Sequence, residues 1–368
     1  MRPAQPTLPA GVVNRREVLG SLAAAALGST AAPAWATAQN NPPPAAGPSA
    51  RPIRAFYESL TDGQRRTMCF DWDRRGPSGL PLRLHVTNNW AVSPAAVESF
   101  TREQQTLIDA ILQSVLAEGW PARLAQQARD DTGQAWTRDR KIAIFGRPGT
   151  GQCQCVISGF HLTLRALESA PGQTAFGGAI CHGHQPSGFN ERVGHPGNIF
   201  WYQAQRAHQV YQILNGRQRQ QALVARGMPW YEFDGRIDRR IILPDSRLDR
   251  PLEPDVRLRG PRATPPGLLV SEMTCDQRAA VQRVLEALLE PYRQEYRDQV
   301  LACLRRQGGL ERCRLAFYQE HTIGWEGEWD NWRLEGPSFV WFFRGVPHVH
   351  IWIHVADDPA SQVTSHFG

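Results

Sequence analysis

The stretch Pro347-His348-Val349-His350-Ile351-Trp352-Ile353-His354-Val355 has the period of two that is typical of a β-strand. Successive side chains of a strand point to opposite faces, so one face is β-branched and suited to a core: Val349, Ile351, Ile353 and Val355. The opposite face carries His348, His350, Trp352 and His354, and thus three of the eleven histidines of the chain. We predict an antiparallel strand with one face against the core.

His348 and His350 are spaced for joint metal binding. Cα atoms two residues apart on a strand are separated by about 6.7 Å, which lets two imidazoles converge on one ion. Histidine is a frequent metal ligand, so the pattern predicts a metal site. A solvated strand face also carries His and Trp, and the sequence leaves that alternative open.

The composition narrows the class of protein. A chain of 368 residues, 41% of them hydrophobic, can bury one large core or two moderate ones. The net charge of +6 comes from arginines spread along the chain, without a basic block that alternates with aromatic residues. We therefore expect no nucleic-acid partner. The 28 prolines and 32 glycines indicate a loop-rich protein rather than a helical bundle.

The N-terminus has the three parts of an export signal in order. A twin-arginine pattern at Asn14–Leu19 precedes an Ala-rich apolar region, and Ala34-Trp35-Ala36 offers a cleavage site. We predict a twin-arginine signal peptide over 1–36, a Pro-rich disordered linker over 37–52, and a periplasmic or secreted mature protein. No run of about twenty strongly apolar residues predicts a membrane span.

Two segments of the chain show the same order of predicted elements. S/T-x-x-Q capping boxes at Thr101–Gln104 and Thr274–Gln277 each precede apolar residues at helical spacing. Strand-like segments follow the first helix between residues 141 and 164, and the second between 314 and 355. The repeated order predicts two related halves, each a capped helix followed by an antiparallel β-meander.

These elements predict an α+β fold, because the alternating βαβ pattern of a parallel sheet is missing. We expect one domain over 53–368, with halves at about 53–175 and 267–368 that are joined by a loop-rich insert. The segment Cys153–Leu164 reads as one strand, on which His161 shares a face with Cys153 and Cys155.

The chain resembles the bacterial and fungal family named domain of unknown function 3500. The resemblance lies in ordered segments across the mature chain: Leu60–Arg65, Ile144–Pro148, Ser158–Leu164, Ile323–Gly327, Trp332–Pro337 and His348–Trp352. The family typically reads G-H-H where this chain has Gly159-Phe160-His161. The resemblance implies the fold and its boundaries and does not imply an activity.

Further candidate residues follow from the proposed halves. If the halves pack with pseudo-symmetry, His161 faces His348 and His350, and three imidazoles with an open position form a catalytic metal site. All-imidazole ligation suits copper, zinc or iron. A core histidine bonded to the backbone remains the alternative for His161.

Three residues are candidates for catalytic roles near such a metal. His321 and Glu326 could act as general base, and Arg333 could bind an anionic substrate. Structural ion pairing is the alternative for each. Cys181-His182-Gly183-His184 and His195 fall in Gly-rich sequence. We predict a loop there, although a role in the metal shell or in a separate site stays open.

Two functions from different classes fit this pattern. One is an exported metalloenzyme, with redox or hydrolytic chemistry on an unknown small-molecule substrate. The other is a non-catalytic periplasmic protein that binds a metal or a small ligand in an aromatic-lined cleft. The sequence does not decide between an enzyme and a binding protein.

Overall fold

The computed structural model describes residues 47–169, 174–184, 198–224, 256–318, 331–345 and 349–363. All of them belong to one compact unit that spans 43–368. The helices are α1 Ala50–Ser59, α2 Asp62–Met68, α3 Arg102–Val115, α4 Trp120–Thr132, α5 Trp201–Gln212, α6 Gly216–Ala222, α7 Cys275–Leu289 and α8 Gln294–Arg306. The strands are β1 Cys69–Phe70, β2 Arg140–Gly146, β3 Cys153–Gly159, β4 Leu162–Leu167, β5 Ile180–His184, β6 Leu223–Val224, β7 Leu268–Leu269, β8 Arg314–Tyr318, β9 Trp332–Gly336, β10 Phe339–Arg344 and β11 Val349–Val355.

Four helices begin with a capping box. At α3, the Thr101 hydroxyl accepts from the backbone N–H of Gln104, whose side chain accepts from the Thr101 N–H in return. The same reciprocal pair starts α2, α6 and α7. The capping glutamines also bond in pairs, Gln64 to Gln104 at 3.0 Å and Gln218 to Gln277 at 2.9 Å. Each pair of caps therefore joins two helix starts.

The strands form one mixed sheet. Its order is β1-β2-β3-β4-β5-β11-β10-β9-β8-β6, and β7 pairs with β8 beside this path. Neighbours are antiparallel except for two short outer strands, β1 beside β2 and β6 beside β8, which run parallel. The fold is α+β, as predicted, with eight helices and eleven strands in the described part of the chain.

The two faces of β11 divide as its alternation predicts. The β-branched residues from Val349 to Val355 belong to the main core, together with the apolar residues of α3 and α7. Trp352 belongs to a second apolar cluster on the opposite face. That face is not solvated, because His350 and His354 are each only 1% exposed. The solvated-face alternative is therefore wrong for these two histidines.

Helices cover one face of the sheet, and irregular segments cover the other. Val86, Val256 and Leu258 contribute to the second apolar cluster, which also contains Phe342 of β10. Polar residues on this side, such as Arg344 and His354, are therefore buried as well. No helix within the described ranges has the length and apolarity required to cross a membrane.

Candidate functional site

A strand occupies the centre of the sheet where the sequence predicts a Gly-rich loop. Cys181-His182-Gly183-His184 is the body of β5, which pairs with β4 on one side and with β11 on the other. The loop prediction is wrong because this short run forms strand pairs with β4 on one edge and with β11 on the other. Strand alternation places His182 and His184 on one face and Gly183 on the other.

His161 lies in a turn and not within a strand. The predicted strand Cys153–Leu164 is a hairpin, in which Gly159 pairs with Leu162 and leaves Phe160 and His161 as the turn. His161 has a φ of 57°, a conformation that costs a residue with a Cβ on the order of 1–3 kcal/mol. Its N–H donates to the Asn88 carbonyl at 2.6 Å, and the Gly183 N–H donates to its carbonyl at 3.0 Å. The first bond holds the turn against the segment that contains Asn88, and the second holds it against β5.

A single carboxylate joins two of the histidines. Asp131 lies in the last turn of α4, one helical turn after Gln127, on the face directed at the sheet. Its Oδ2 accepts from Nδ1 of His161 at 2.8 Å, and its Oδ1 accepts from Nδ1 of His184 at 2.8 Å. The side chains are buried, with exposures of 1% for Asp131, 2% for His161 and 0% for His184. The carboxylate thus fixes both ring orientations.

Burial and hydrogen bonding set the charges of this group. Burial alone would raise the pKa of Asp131, but the hydrogen bonds and charges of His161 and His184 outweigh it and hold that pKa well below its usual value. Burial lowers the pKa of His161, opposed in part by Asp131. At neutral pH the carboxylate is therefore ionised and the His161 imidazole is neutral. With its proton on Nδ1, His161 carries a lone pair on Nε2, and the geometry assigns His184 the same tautomer.

His350 has the opposite tautomer. Arg344, which lies opposite it in β10, donates from a terminal guanidinium nitrogen to Nδ1 of His350. Asn88 Nδ2 lies 3.0 Å from the same atom. A guanidinium can only donate, so Nδ1 accepts and the proton of the neutral ring is on Nε2. The rings of His161 and His350 meet edge to face, with 4.9 Å between their centroids. His161, with a lone pair on Nε2, and His350, with a proton on Nε2, are therefore in contact.

Gly183 permits this close approach. A Cβ on Gly183 would lie 2.5 Å from the Val349 carbonyl oxygen, 2.6 Å from Cδ2 of His350 and 3.4 Å from Cδ2 of His161. No other residue fits there without displacing backbone. The Gln127 side-chain amide donates to the Gly183 carbonyl and so ties α4 to β5 at this point.

The structure brings together only part of the predicted site. His161 and His350 are adjacent, whereas His348, His321, Glu326 and His195 lie outside the described residues. Within the ranges that the structure describes, no group of three or more His, Cys, Asp or Glu side chains is arranged to hold a metal ion.

Arg333 is buried in an ion pair. Its Nε lies 2.8 Å from Oε2 of Glu335, and Arg259 binds the other oxygen of that carboxylate at 2.9 Å. Arg333 lies opposite Phe342 of β10, two residues before Arg344, which pairs with His350. The observed contacts of Arg333 are therefore those of structural ion pairing, the alternative to binding of an anionic substrate.

Two further histidines are core residues. His182 packs against Phe200, with ring centroids 4.6 Å apart, and its Nδ1 lies 3.4 Å from the Tyr292 hydroxyl. Burial lowers its pKa to about 3. Nδ1 of His354 donates to the Val256 carbonyl at 2.8 Å, and burial lowers the pKa of His354 to about 4. Both rings are neutral at physiological pH.

The sequence did not predict three residues of the site, Asn88, Asp131 and Arg344, and for His184 it left a role in the metal shell open. The signal for Arg344 was present, since it directly precedes the turn-like sequence Gly345-Val346-Pro347 and the histidine strand; the structure pairs it with His350. Asp131 shares a helix face with Gln127, four residues earlier, but nothing in α4 indicates two distant imidazole partners. Asn88 acts partly through its backbone carbonyl, which no side-chain pattern can indicate.

The comparisons with known proteins identify a family. No curated protein and no solved structure matches the chain. One family model matches residues 49–355, from the start of the folded region to the end of β11, and its description is "Protein of unknown function (DUF3500)". The match covers most of the chain, so the protein belongs to the DUF3500 family.

Proposed function

We propose that this chain is an exported metalloenzyme whose transition-metal ion binds Nε2 of His161 and of His184. The observation that carries the proposal is Asp131, which accepts an Nδ1–H from both rings at 2.8 Å. A carboxylate on the far nitrogen of a ligating histidine fixes its tautomer and raises its basicity, and this arrangement is usual behind metal-bound imidazoles. One carboxylate that orients two buried imidazoles in this way is difficult to explain by packing alone.

The proposed centre needs at least one more ligand. Two imidazoles are too few for a stable site, and the described residues supply no third ligand in position. His348, one residue before the first residue of β11, stays our predicted ligand. His350 was predicted as a ligand too, but the bond from Arg344 to its Nδ1 assigns it a different role, as a donor from Nε2. Imidazole ligands suit copper, zinc or iron.

The residues around the centre support catalysis. A bound metal would supply a Lewis acid or a one-electron couple. The ring of His350 lies against that of His161, so its Nε2–H would donate to negative charge that develops beside His161, and Arg344, which donates to its Nδ1, stabilises that donor state. Asn88 contacts both His161 and His350, and thereby fixes the position of the donor relative to the ligand.

Burial of the histidines favours a second candidate function, non-catalytic metal or small-ligand binding. His161, His184 and His350 are each at most 2% exposed, and such burial suits long retention of a bound metal. The two functions differ in whether the metal has a coordination position that an external ligand can occupy. A metal that binds azide or cyanide with a spectral change has an open position, whereas a closed binding site shows no such change.

We also propose that the chain has two related halves and is exported. The proposed halves are wider than the sequence predicts, since β5 and α6 fall in the segment predicted as a loop-rich insert. Three features support the halves: the capping boxes of α3 and α7, the paired capping glutamines, and parallel outer strands at both ends of the sheet order. β5 and β11 then end the two halves and meet at the centre. Export rests on the twin-arginine pattern of residues 14–19, outside the described residues.

Metal analysis of protein purified from its native compartment tests the proposal. We expect about one equivalent of a transition metal in the wild-type protein. The double variant His161→Ala/His184→Ala should retain less than about a tenth of it. Asp131→Asn should bind added Zn²⁺ about 10–100-fold more weakly, because it loses the orienting carboxylate.

The matched control is His208→Ala, which removes a histidine of α5 that takes no part in the site. It should keep the wild-type metal content. Equal metal content in the wild-type protein and in folded His161→Ala/His184→Ala would overturn the proposal.

A further inference from the structure

A narrow cleft leads from the surface of the protein to the proposed metal ligand His161. Its outer walls include Leu124 of α4 and Trp136, which are half-buried. Its inner end includes buried polar residues, since Gln127 is 2% exposed, Arg140 5% and His161 2%. The lining therefore changes from apolar at the mouth to polar beside the proposed metal centre.

The size of the cleft limits what can enter it. Organic ligands occupy pockets of about 300–1,000 Å³. The cleft has a volume of about 10 Å³, and a cavity must offer about 10–15 Å³ to hold one water molecule. Only water, or a molecule that is hardly wider, therefore fits between these walls.

Gln127 contributes an acceptor that has no donor within the described part of the chain. Its Nε2 donates to the Gly183 carbonyl and lies 3.4 Å from Oδ2 of Asp131, and both of these partners can only accept. These two contacts assign the orientation of the amide and leave Oε1 as its remaining group. Oε1 is buried and accepts no hydrogen bond from the residues that the structure describes. A buried acceptor of this kind requires a donor from outside the protein.

Arg140 supplies the complementary group on the same cleft. Its guanidinium can only donate, whereas Oε1 of Gln127 can only accept. A molecule that bonds to both residues must therefore accept and donate at the same time. Water does both and has the required size. Dioxygen cannot donate and ammonium cannot accept, so neither satisfies the pair.

We propose that this cleft binds one water molecule between Gln127 and Arg140, and that it supplies water as a reactant to the metal centre while it excludes larger molecules. The water site follows from the size of the cleft and from its two polar groups. The supply of water to the metal rests on the proposed function, because the cleft ends at His161. A larger substrate would have to reach the metal by another route.

Oxygen-17 relaxation dispersion of water, recorded on metal-stripped full-length protein, counts the internal water molecules with long residence times. We expect the wild-type protein to hold one more of them than Gln127→Met, which keeps the length of the side chain and loses its acceptor. The matched control is Gln126→Met, which replaces the exposed neighbour of Gln127 in α4. It should keep the wild-type number.

A second variant leaves Gln127 intact. Leu124→Phe narrows the mouth of the cleft and should slow the exchange of this water with solvent at least tenfold. Equal numbers of long-lived water molecules in the wild-type protein and in folded Gln127→Met would overturn the inference. An unchanged exchange rate in Leu124→Phe would overturn it as well.

Azide binding to Co²⁺-loaded protein tests the passage to the metal. Azide is one atom wide, and imidazole is a ring that the cleft cannot admit. We expect azide to change the visible spectrum and to associate at least tenfold more slowly in Leu124→Phe, and we expect no change with imidazole. Equal azide rates in the two proteins, binding of imidazole, or no azide binding would each overturn the passage.

The two proposals fail in different ways. Loss of one water molecule in Gln127→Met, in a protein that takes up no metal, would refute the proposed function and keep the water site. Metal uptake without that loss would refute the water site alone.

Discussion

At the scale of single residues, hydrogen-bond partners divide the histidines into three kinds. His161 and His184 donate from Nδ1 to a carboxylate, His350 accepts at Nδ1 from a guanidinium, and His354 donates to a backbone carbonyl. The residue type is the same in every case. Only the partner decides whether Nε2 presents a lone pair or a proton, and the sequence pattern H-x-H does not contain that information.

His354 should make stability depend on pH. Its pKa is about 4 in the folded protein because of burial, opposed by the Val256 carbonyl, and 6.5 in the unfolded chain. Between these values the unfolded chain binds one proton more, so this group lowers the free energy of unfolding as the pH falls. The loss is about 1.4 kcal/mol per pH unit between pH 6.5 and about 4.

Urea denaturation of the wild-type protein and of His354→Leu, in the presence of a chelator, measures this effect. The variant should lose stability less steeply over the same pH range, by about 1.4 kcal/mol per pH unit. Parallel curves for the two proteins would show that His354 does not titrate differently in the folded and unfolded states.

At the scale of elements, β5 decides whether the site can form. It lies between β4 and β11. Its His184 is hydrogen-bonded to Asp131, and its Gly183 lies against the rings of His161 and His350. The sequence did not predict this strand because glycine weakens strand propensity and the run is only five residues long. Pairing on both edges outweighs that propensity.

Gly183→Ala should destabilise the protein and distort the site. The new Cβ would meet the Val349 carbonyl oxygen at 2.5 Å, and such overpacking typically costs about 1–3 kcal/mol. Gly216→Ala is the matched control, because its Cβ at the start of α6 meets nothing within 4 Å. We expect it to stay within about 0.5 kcal/mol of the wild-type protein in urea denaturation. Similar stabilities for the two variants would contradict the close packing at Gly183.

At the scale of the whole molecule, the site is assembled from segments that are distant in sequence. Asn88 precedes α3, Asp131 ends α4, His161 lies in the β3–β4 turn, and Arg344 and His350 face each other in β10 and β11. Local signals predicted the α+β class and the buried β-branched face of β11, because periodicity is a property of neighbouring residues. The Asp131–His184 bond joins residues 53 positions apart, and depends on packing that periodicity does not report.

The same scale explains why His161 lies beside His350, as predicted, although its local structure was predicted wrongly. The sequence placed it on a strand that faces His350, whereas a hairpin turn brings it there. Both arrangements put it beside the central strands. The details that matter chemically, namely its φ of 57° and its bond to Asp131, follow only from the turn.

The most direct test of the account is long-range ¹H–¹⁵N NMR of the histidine side chains, recorded at neutral pH during titration of metal-stripped, histidine-labelled protein with Zn²⁺. Single His161→Gln, His184→Gln and His350→Gln variants assign the resonances. We predict that His161 and His184 start with the proton on Nδ1 and that their Nε2 signals shift at about one equivalent of zinc. His350 should keep its proton on Nε2 throughout. Protons on Nε2 of His161 and His184, or Nε2 signals that zinc does not move, would contradict the account.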